Sequence, residues 1–277
     1  MADALVNGIR LHYEVHGEGE PLVLAHGFGA NLDMWAEQIG PFSQKYRLVV
    51  YDMRGHGCTE APRDLSSYTF DEYVEDQRQL MDHLGIDAAY VGGLSMGGAV
   101  ALRFALTHPQ RVKALLLCDT SARNYALQGD RPAGAQPSGP RRFLFRSVAP
   151  EFFVLARHIP FERLPRTHPV VKSYLQGVRQ QTAHGLRGGW RALMQQEDLE
   201  GRLGEIAVPT LIIVGDRDPL QSPSRVMQRL IPGCRFVLIK DSGHGTAGYQ
   251  PGAFNRAVLE FLDDVEAGRP VEGEMTL

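Results

Sequence analysis

The residues best suited to chemistry lie at positions 93–97, which read Gly-Leu-Ser-Met-Gly. They follow an apolar segment typical of a strand and precede a segment of helical length. A serine flanked by glycines in this way fits a tight strand-to-helix turn, whose strained backbone projects the hydroxyl out of the sheet. We therefore predict that Ser95 is a nucleophile. The alternative is a helix N-terminus rich in small residues, in which Ser95 serves only as a cap.

A serine hydroxyl is a weak nucleophile at neutral pH and needs a neighbouring base. In enzymes with this type of turn, an acid and then a histidine follow the serine along the chain. His244 satisfies that order, because it lies between two glycines just after the last predicted strand. We predict that His244 is the base. The alternative, which applies to most loop histidines, is a solvated side chain with no catalytic role.

Three aspartates are candidates for the acid that orients this histidine. Asp218 precedes a proline in the turn after a predicted strand, and the chain order favours it. Asp119 ends the strand that we predict beside the strand of the serine, so it can reach the same imidazole. Asp216 lies closest to its strand end and is the third candidate. Asp216 and Asp218 have a further interpretation, in which they bind turn amides or begin the next helix.

Acyl transfer also needs N–H donors for the developing oxyanion. The turn itself supplies one, the backbone N–H of Met96 at the start of the next helix. We expect the second from the segment His-Gly-Phe-Gly at positions 26–29, where the Phe28 N–H is the favoured donor and the glycines let substrate approach the backbone. The alternative for this segment is an ordinary glycine-rich turn.

The elements that must position these residues alternate between short apolar strands and amphipathic helices. That alternation predicts an α/β fold whose mostly parallel sheet is covered on both faces. Residues 9–17 alternate apolar and polar side chains, as an antiparallel edge strand does. A capping box at Thr69 and Glu72 predicts the start of a helix that Gly85 ends. The other predicted strands are 21–25, 46–51, 89–92, 112–118, 210–214 and 235–239, and the other predicted helices are 96–107 and 252–264.

The alternation breaks at residues 122–202, which we interpret as a helical cap inserted into a core formed by residues 1–121 and 203–277. A flexible-looking segment at 129–140 opens it as a hinge. The cap has a charge balance of +7 and the remainder a balance of −10. Arginines of the cap, such as Arg123, Arg141, Arg142 and Arg146, have two interpretations: attraction of an anionic substrate, or a solvated face.

Composition and motifs exclude several other classes of protein. The net charge of −3 gives no electrostatic footprint for nucleic acid. There is no run of about 18 apolar residues for a membrane span, and the N-terminus has no apolar region of a secretory signal. The three cysteines are unclustered, and metal-binding and nucleotide-binding motifs are missing. We expect a soluble, cytoplasmic protein that acts on a small molecule without metal or cofactor, in an oligomeric state that the sequence leaves open.

The order of these motifs, with Asp-Met-Arg-Gly-His-Gly at 52–57 and Cys-Asp-Thr-Ser-Ala at 118–122, resembles the α/β-hydrolase superfamily from about residue 11 to residue 262. The resemblance implies a mostly parallel eight-stranded sheet with a helical cap. It further implies Ser95, Asp218 and His244 as the catalytic triad and the Phe28 and Met96 N–H groups as the oxyanion hole. Within the superfamily the motifs look most like 3-oxoadipate enol-lactonases and related carboxylesterases. Gln250 departs from the pattern, because relatives often have glutamate there.

These observations predict a serine hydrolase that cleaves a small ester or lactone through an acyl-enzyme on Ser95. A C–C bond hydrolase of a vinylogous diketone uses the same triad, but such relatives usually carry Gly-Pro-Gly where this chain has Gly29-Ala30-Asn31. A cofactor-free perhydrolase activity is compatible with either reaction. The alternative outside the enzymes is a small-molecule receptor that keeps the pocket and has little turnover.

Overall fold

A computed structural model of the chain describes residues 2–123, 149–156 and 169–277. In the described residues, one sheet of nine strands has the order β1-β2-β4-β3-β5-β6-β7-β8-β9. The expected α/β architecture is therefore confirmed, with one strand more than the eight that the resemblance implied. The strands are β1 Ala2–Val6, β2 Ile9–His16, β3 Glu20–Ala25, β4 Tyr46–Tyr51, β5 Ala89–Leu94, β6 Val112–Cys118, β7 Thr210–Gly215, β8 Arg235–Ile239 and β9 Gly273–Thr276.

The two edges of the sheet differ from the sequence prediction. Strand β2 is antiparallel as expected, but it lies between β1 and β4 and is not an edge strand. At the other edge, β9 pairs in parallel with β8, and the Leu277 N–H donates to the Leu238 carbonyl just beyond it. Both edge strands are short; β1 buries only Ala4 and Val6, and β9 buries none of its residues. They therefore carry little of the apolar pattern by which a strand is recognised.

Among the described residues, helices and short 3₁₀ turns connect the parallel strands. Helix α2 begins as its capping box predicts, because the Thr69 hydroxyl accepts a hydrogen bond from the Glu72 N–H at 3.2 Å. None of these helices combines the length and the apolar character that a membrane crossing needs. The helices are α1 Ala36–Ser43, α2 Phe70–His83, α3 Met96–Thr107, α4 Ala149–Ala156, α5 Pro169–Gln180, α6 Ala183–Met194, α7 Gln221–Leu230, α8 Thr246–Tyr249 and α9 Pro251–Glu266.

The sheet separates two apolar cores. Along β3, Val23 belongs to one buried cluster, while Leu22 and Leu24 belong to the other. Since side chains alternate across a strand, these clusters lie on opposite faces of the sheet. Helices α2, α3 and α7 contribute to the first cluster, and α1 and α9 contribute to the second. The central strands are thereby fixed from both sides, which makes their carboxyl ends a rigid platform.

The carboxyl ends of β3, β5, β6, β7 and β8 open onto the same edge of the sheet, because these strands are parallel. Strand β3 lies between β4 and β5. The chain therefore runs from β3 to one side to form β4 and then crosses back past β3 to form β5 on its other side. Such a reversal creates a crevice at the strand ends, where open α/β sheets bind their ligands. The loops that carry the predicted site residues all start from this edge.

Helices α4, α5 and α6 are the described parts of residues 122–202, and the described residues of that range contain no strand. Helix α6 packs closely on the core: a methyl group on Gly185 would overlap the backbone of Gly55, and one on Gly188 would overlap the ring of Tyr68. The cap and its boundaries stay a prediction. The hinge at 129–140 and the arginines at 141, 142 and 146 lie outside the described residues.

Candidate active site

Ser95 lies on the turn between β5 and α3, with φ 57° and ψ −116°. A non-glycine residue rarely adopts a positive φ, so the surrounding backbone must hold it there. The two flanking glycines are required by space: a methyl group on Gly93 would overlap the backbone of Gly97, and one on Gly97 would overlap the carbonyl of Ala25. The turn predicted from the sequence is therefore present, and it lies directly beside the end of β3.

The structure brings His244 to the serine. This histidine lies in the loop between β8 and α8, and its Nε2 is 2.9 Å from the Ser95 Oγ. Its other ring nitrogen, Nδ1, is 3.0 Å from Oδ2 of Asp218. A carboxylate at Nδ1 assigns the proton to that nitrogen, which leaves the Nε2 lone pair to accept the hydrogen bond of the serine hydroxyl. Three residues that are widely separated in sequence thus form one hydrogen-bonded line.

Asp218 has a buried side chain at the turn after β7. Its Oδ1 accepts a hydrogen bond from the Leu220 N–H at 2.8 Å, so both carboxylate oxygens have a donor. Burial raises the pKa of this carboxyl, but the hydrogen bond and charge of His244 together with the Leu220 N–H outweigh burial and hold the pKa below its ordinary value. Asp218 is therefore ionised at neutral pH beside the imidazole.

The pKa of His244 changes in the complementary direction. Burial lowers the pKa of the imidazole, but the hydrogen bond and charge of Asp218 and the charge of Asp119 raise it above its ordinary value. A stronger base is better able to accept the proton of a serine hydroxyl. The environment therefore suits His244 to general-base chemistry.

Asp119 and Asp216, the other two candidates for the acid, have different partners in the described residues. Asp119 is fully buried at the end of β6, and its carboxylate accepts hydrogen bonds from Gly245 and Thr246, not from the imidazole. Asp216 accepts the Ser242 N–H at 3.1 Å. Of the three, Asp218 is the aspartate that the structure places on His244.

Of the two predicted oxyanion donors, Met96 directly follows Ser95 at the start of α3, and Phe28 belongs to the loop after β3. Gly27 is close enough to Ser95 that a methyl group on it would lie 3.5 Å from the serine Cβ. Within the described part of the chain, neither the Phe28 N–H nor the Met96 N–H donates a hydrogen bond to the protein. Both N–H groups therefore stay the predicted donors for an oxygen atom bound at Ser95.

His26 has a role in this loop that the sequence prediction missed. Its Nδ1 lies 2.7 Å from the Gly27 carbonyl, and its Nε2 accepts the Met53 N–H at 3.0 Å. These two partners fix a neutral tautomer, and burial lowers its pKa to about 4. The sequence signal for this role was the position of His26, directly after a buried strand and before Gly27. The sequence does not reveal that the His26 ring hydrogen-bonds to the backbone of its own loop.

Aromatic side chains join this loop to α4 and α6. The ring of Phe28 packs edge-to-face on Phe153 and on Trp190, with centroids 5.3 Å and 5.7 Å apart. The loop also approaches α5, where a methyl group on Gly29 would lie 2.9 Å from the Tyr174 hydroxyl. The described residues around Phe28 are thus largely apolar, as is usual for a small-molecule pocket.

One group of described residues has the donor types of a metal site. His12, Asp52 and Cys58 each offer an atom within 4.8 Å of the others. Both carboxylate oxygens of Asp52 already accept backbone N–H groups, from Leu32 and from Cys58, each at 2.7 Å. His12 Nδ1 is 2.8 Å from Asp3. The hydrogen bond from Leu32 to Asp52 links the segment that follows β3 to the segment that follows β4. Asp52 therefore helps to hold the loop that contains His26.

Comparisons with known proteins find relatives in both sequence and fold. The family model described as alpha/beta hydrolase fold matches residues 20–247. The chain is 29% identical over 267 residues to a putative carbamate hydrolase of Variovorax paradoxus, covering 93% of this chain and 97% of that one. The enol-lactonase from Burkholderia xenovorans has a similar structure (TM-score 0.78, 30% identity, 95% and 100% coverage). So does an esterase from Thermogutta terrifontis (TM-score 0.78, 29% identity, 95% and 98% coverage).

Proposed function

Because the chain belongs to the α/β-hydrolase family, we propose that it is a serine hydrolase that cleaves a small carboxylic ester or lactone through an acyl-enzyme on Ser95. The observation that carries this proposal is the line of hydrogen bonds from the Ser95 hydroxyl through His244 to Asp218. It lies beside two N–H groups, those of Phe28 and Met96, that are available to a substrate oxygen. This is the arrangement that acyl transfer requires.

In the first half of the reaction, Nε2 of His244 takes the proton of the Ser95 hydroxyl while Oγ attacks the substrate carbonyl carbon. The carbonyl oxygen becomes an oxyanion, which accepts hydrogen bonds from the Phe28 and Met96 N–H groups; each such donor contributes about 2.7–4 kcal/mol to stabilising the transition state. The imidazolium is stabilised by ionised Asp218 and then gives its proton to the leaving oxygen. The C–O bond breaks, and the acyl group remains on Ser95.

In the second half, water replaces the leaving alcohol. His244 takes a proton from that water, whose oxygen attacks the acyl carbon, and the same two N–H groups hold the second oxyanion. Collapse of this intermediate returns the proton to Ser95 and releases the carboxylic acid. Every proton transfer uses the single imidazole, so the reaction needs no metal or redox cofactor.

The substrate class is supported by the relatives and by the surroundings of Phe28. The names of these relatives, a putative carbamate hydrolase, an enol-lactonase and an esterase, describe cleavage of a carbonyl–heteroatom bond. One oxyanion hole serves both tetrahedral intermediates of such a reaction. The rings of Phe28, Phe153 and Trp190 favour a substrate that carries an apolar group. A small, uncharged or weakly polar ester or lactone fits both observations.

The experiment that tests the proposal combines a covalent label with turnover. A fluorophosphonate probe should label Ser95, as located by peptide mass spectrometry, and Ser95→Ala should lose both labelling and hydrolysis of short-chain p-nitrophenyl esters. Ser66→Ala, which removes an exposed hydroxyl bonded to Asp64, is the matched control and should retain both. A panel of esters and enol-lactones then ranks substrates by kcat/KM. Full turnover by Ser95→Ala would contradict the proposal.

A further inference from the structure

Three consecutive residues at the end of β6 contact both the serine turn and the histidine loop. The Cys118 carbonyl accepts the Ser95 N–H at 2.9 Å. Two residues later, the Thr120 hydroxyl donates to the Ser95 carbonyl at 2.7 Å. Cys118, the last residue of β6, and Thr120, just beyond it, therefore hold the Ser95 backbone at its N–H and at its carbonyl.

Between those two contacts, the side chain of Asp119 holds the loop that carries His244. Its Oδ2 accepts the N–H groups of Gly245 and Thr246 at 3.1 and 2.7 Å, and the Thr246 hydroxyl at 2.8 Å. Its Oδ1 accepts the Gly215 N–H at 3.2 Å, at the start of the turn that leads to Asp218. The loops of the serine, the histidine and the aspartate thus all meet on residues 118–120.

Asp119 occupies this position at a cost in free energy. It has a positive φ of 46°, and its side chain is fully buried without a lysine or arginine partner among the described residues. A buried carboxylate is stable only when donors replace its lost hydration. Here four hydrogen bonds replace part of it, while burial and the charge of Asp218 still raise the pKa of Asp119 to about 7. Those four donors all come from the two loops that hold His244 and Asp218, so the compensation and the geometry of the site depend on each other.

We propose that Asp119 and Thr120 are positioning residues of the active site, which set the distance between the His244 loop and the Ser95 backbone. This inference rests on the proposed function. Neither side chain touches the reacting atoms: Thr120 holds the main chain of the nucleophile, and Asp119 holds the main chain just after the base. Together they fix the hydrogen bond between the imidazole and the hydroxyl. A displacement of about 1 Å at a reacting group costs on the order of 100-fold in rate.

The first test is Asp119→Asn. An amide keeps the size of the carboxylate but presents an NH₂ group to backbone N–H donors, so one of the two loops loses its acceptor. We expect kcat to fall about 10- to 100-fold while KM changes less than about threefold, because the defect lies in alignment and not in binding. The charged groups that act on His244 are Asp218 and Asp119. Asp119 also faces Asp218, and burial together with the charge of Asp218 raises the pKa of Asp119 to about 7. Above that pH Asp119 is ionised and raises the pKa of His244, so its loss should move the upper part of the acid limb of kcat/KM to lower pH.

The matched control is Asp76→Asn, which removes another buried carboxylate, one bonded to Arg54 and Asn7 and to none of Ser95, His244 and Asp218. It should lower stability without moving the pH profile or the ratio of kcat to KM. If Asp119→Asn behaves like Asp76→Asn, with wild-type kcat and pH profile per folded molecule, Asp119 is merely structural and the inference is wrong.

The second test keeps the inference open to refutation if Asp119→Asn does not fold. Thr120→Val removes the hydroxyl that donates to Ser95 but keeps the shape, and we expect kcat to fall about tenfold. Thr120→Ser keeps the hydroxyl and should restore most of the rate. Equal kcat in both variants would overturn the role of Thr120. If the fluorophosphonate did not label Ser95 in the wild type, the proposed function would be contradicted. Failure of the positioning role and failure of the proposed function therefore give different results.

Discussion

The imidazole of His26 donates a hydrogen bond from Nδ1 to the carbonyl oxygen of Gly27 at 2.7 Å. That carbonyl belongs to the same planar peptide unit as the Phe28 N–H, and the two groups point in opposite directions because the peptide is trans. Fixing the carbonyl therefore fixes the direction of the N–H. A buried histidine that takes no part in proton transfer thus sets the aim of a proposed oxyanion donor.

We predict that catalysis depends on the Nδ1 side of His26 more than on the Nε2 side. The amide nitrogen of asparagine can take the place of Nδ1, so His26→Asn should keep the hold on Gly27, whereas His26→Gln offers its amide nearer to the position of Nε2. His26→Gln should lower kcat about 10- to 100-fold with little change in KM. The upper value is the effect of removing one oxyanion donor altogether. Steady-state kinetics on one ester compares the two variants, and equal losses would contradict the prediction.

The pH dependence of the reaction should reflect the raised pKa of His244. The imidazole must be neutral to accept the serine proton, so activity is lost as pH falls through its pKa, and the acid limb of kcat/KM should lie above the ordinary value of 6.5. Asp218→Asn removes the charge that raises this pKa and disturbs the tautomer. We expect it to lower kcat about 10⁴-fold.

The measurement for both enzymes is kcat/KM from pH 5 to pH 9, because this ratio reports the ionisation of the free enzyme. In Asp218→Asn the remaining activity should have its acid limb at lower pH than in the wild type. A wild-type limb below 6.5, or a limb that Asp218→Asn leaves in place, would show that His244 is not the group that titrates.

Local signals explain why much of this fold could be predicted from the sequence. The start of α2 rests on one capping box at Thr69 and Glu72, and the bounds of α3 follow from the serine turn before it and the proline after it. The central strands are short apolar runs because both of their faces are buried. In each case the residues that decide the structure are neighbours in the chain.

The features that the sequence did not reveal depend on contacts between distant segments. Strand β1 buries only Ala4 and Val6, and no residue of β9 is buried, so their pairing with β2 and β8 is what makes these short segments strands. Asp119 was a candidate for the acid because it ends a strand beside the serine. Its actual partners, Gly215, Gly245 and Thr246, are about 100 residues or more away, and no local pattern announces them.

Acid should destabilise the folded protein through two buried histidines, His26 and His56. Burial lowers the pKa of His26 to about 4 and, together with the nearby His26, that of His56 to about 3. Below pH 6.5 the unfolded chain binds protons at these positions that the folded protein does not bind, so the free energy of unfolding falls as pH falls. At about 1.4 kcal/mol per pKa unit, His26 alone accounts for about 3 kcal/mol between pH 6.5 and pH 4.

Urea unfolding at a series of pH values measures this loss. In the variant His56→Asn an amide can still donate to the Arg54 carbonyl, which His56 Nδ1 contacts at 3.0 Å, but the side chain no longer titrates. The slope of unfolding free energy against pH between 6.5 and 4 should become shallower by about one proton. Identical slopes in the two proteins would mean that His56 does not contribute.

The serine turn should tolerate no side chain at Gly97. A methyl group there would overlap the carbonyls of Ala25 and His26, so Gly97→Ala must push the turn away from the end of β3. We expect a loss of stability of about 1–3 kcal/mol from overpacking, and slower labelling of Ser95 by a fluorophosphonate because Met96 moves with the turn. Gly252→Ala is the matched control, since the same methyl group meets nothing within 4 Å in the first turn of α9. Gly252→Ala should leave the labelling rate unchanged and the free energy of unfolding equal or higher by up to about 1 kcal/mol.

If Gly97→Ala and Gly252→Ala had equal stability and equal labelling rates, the turn would not need a glycine at position 97.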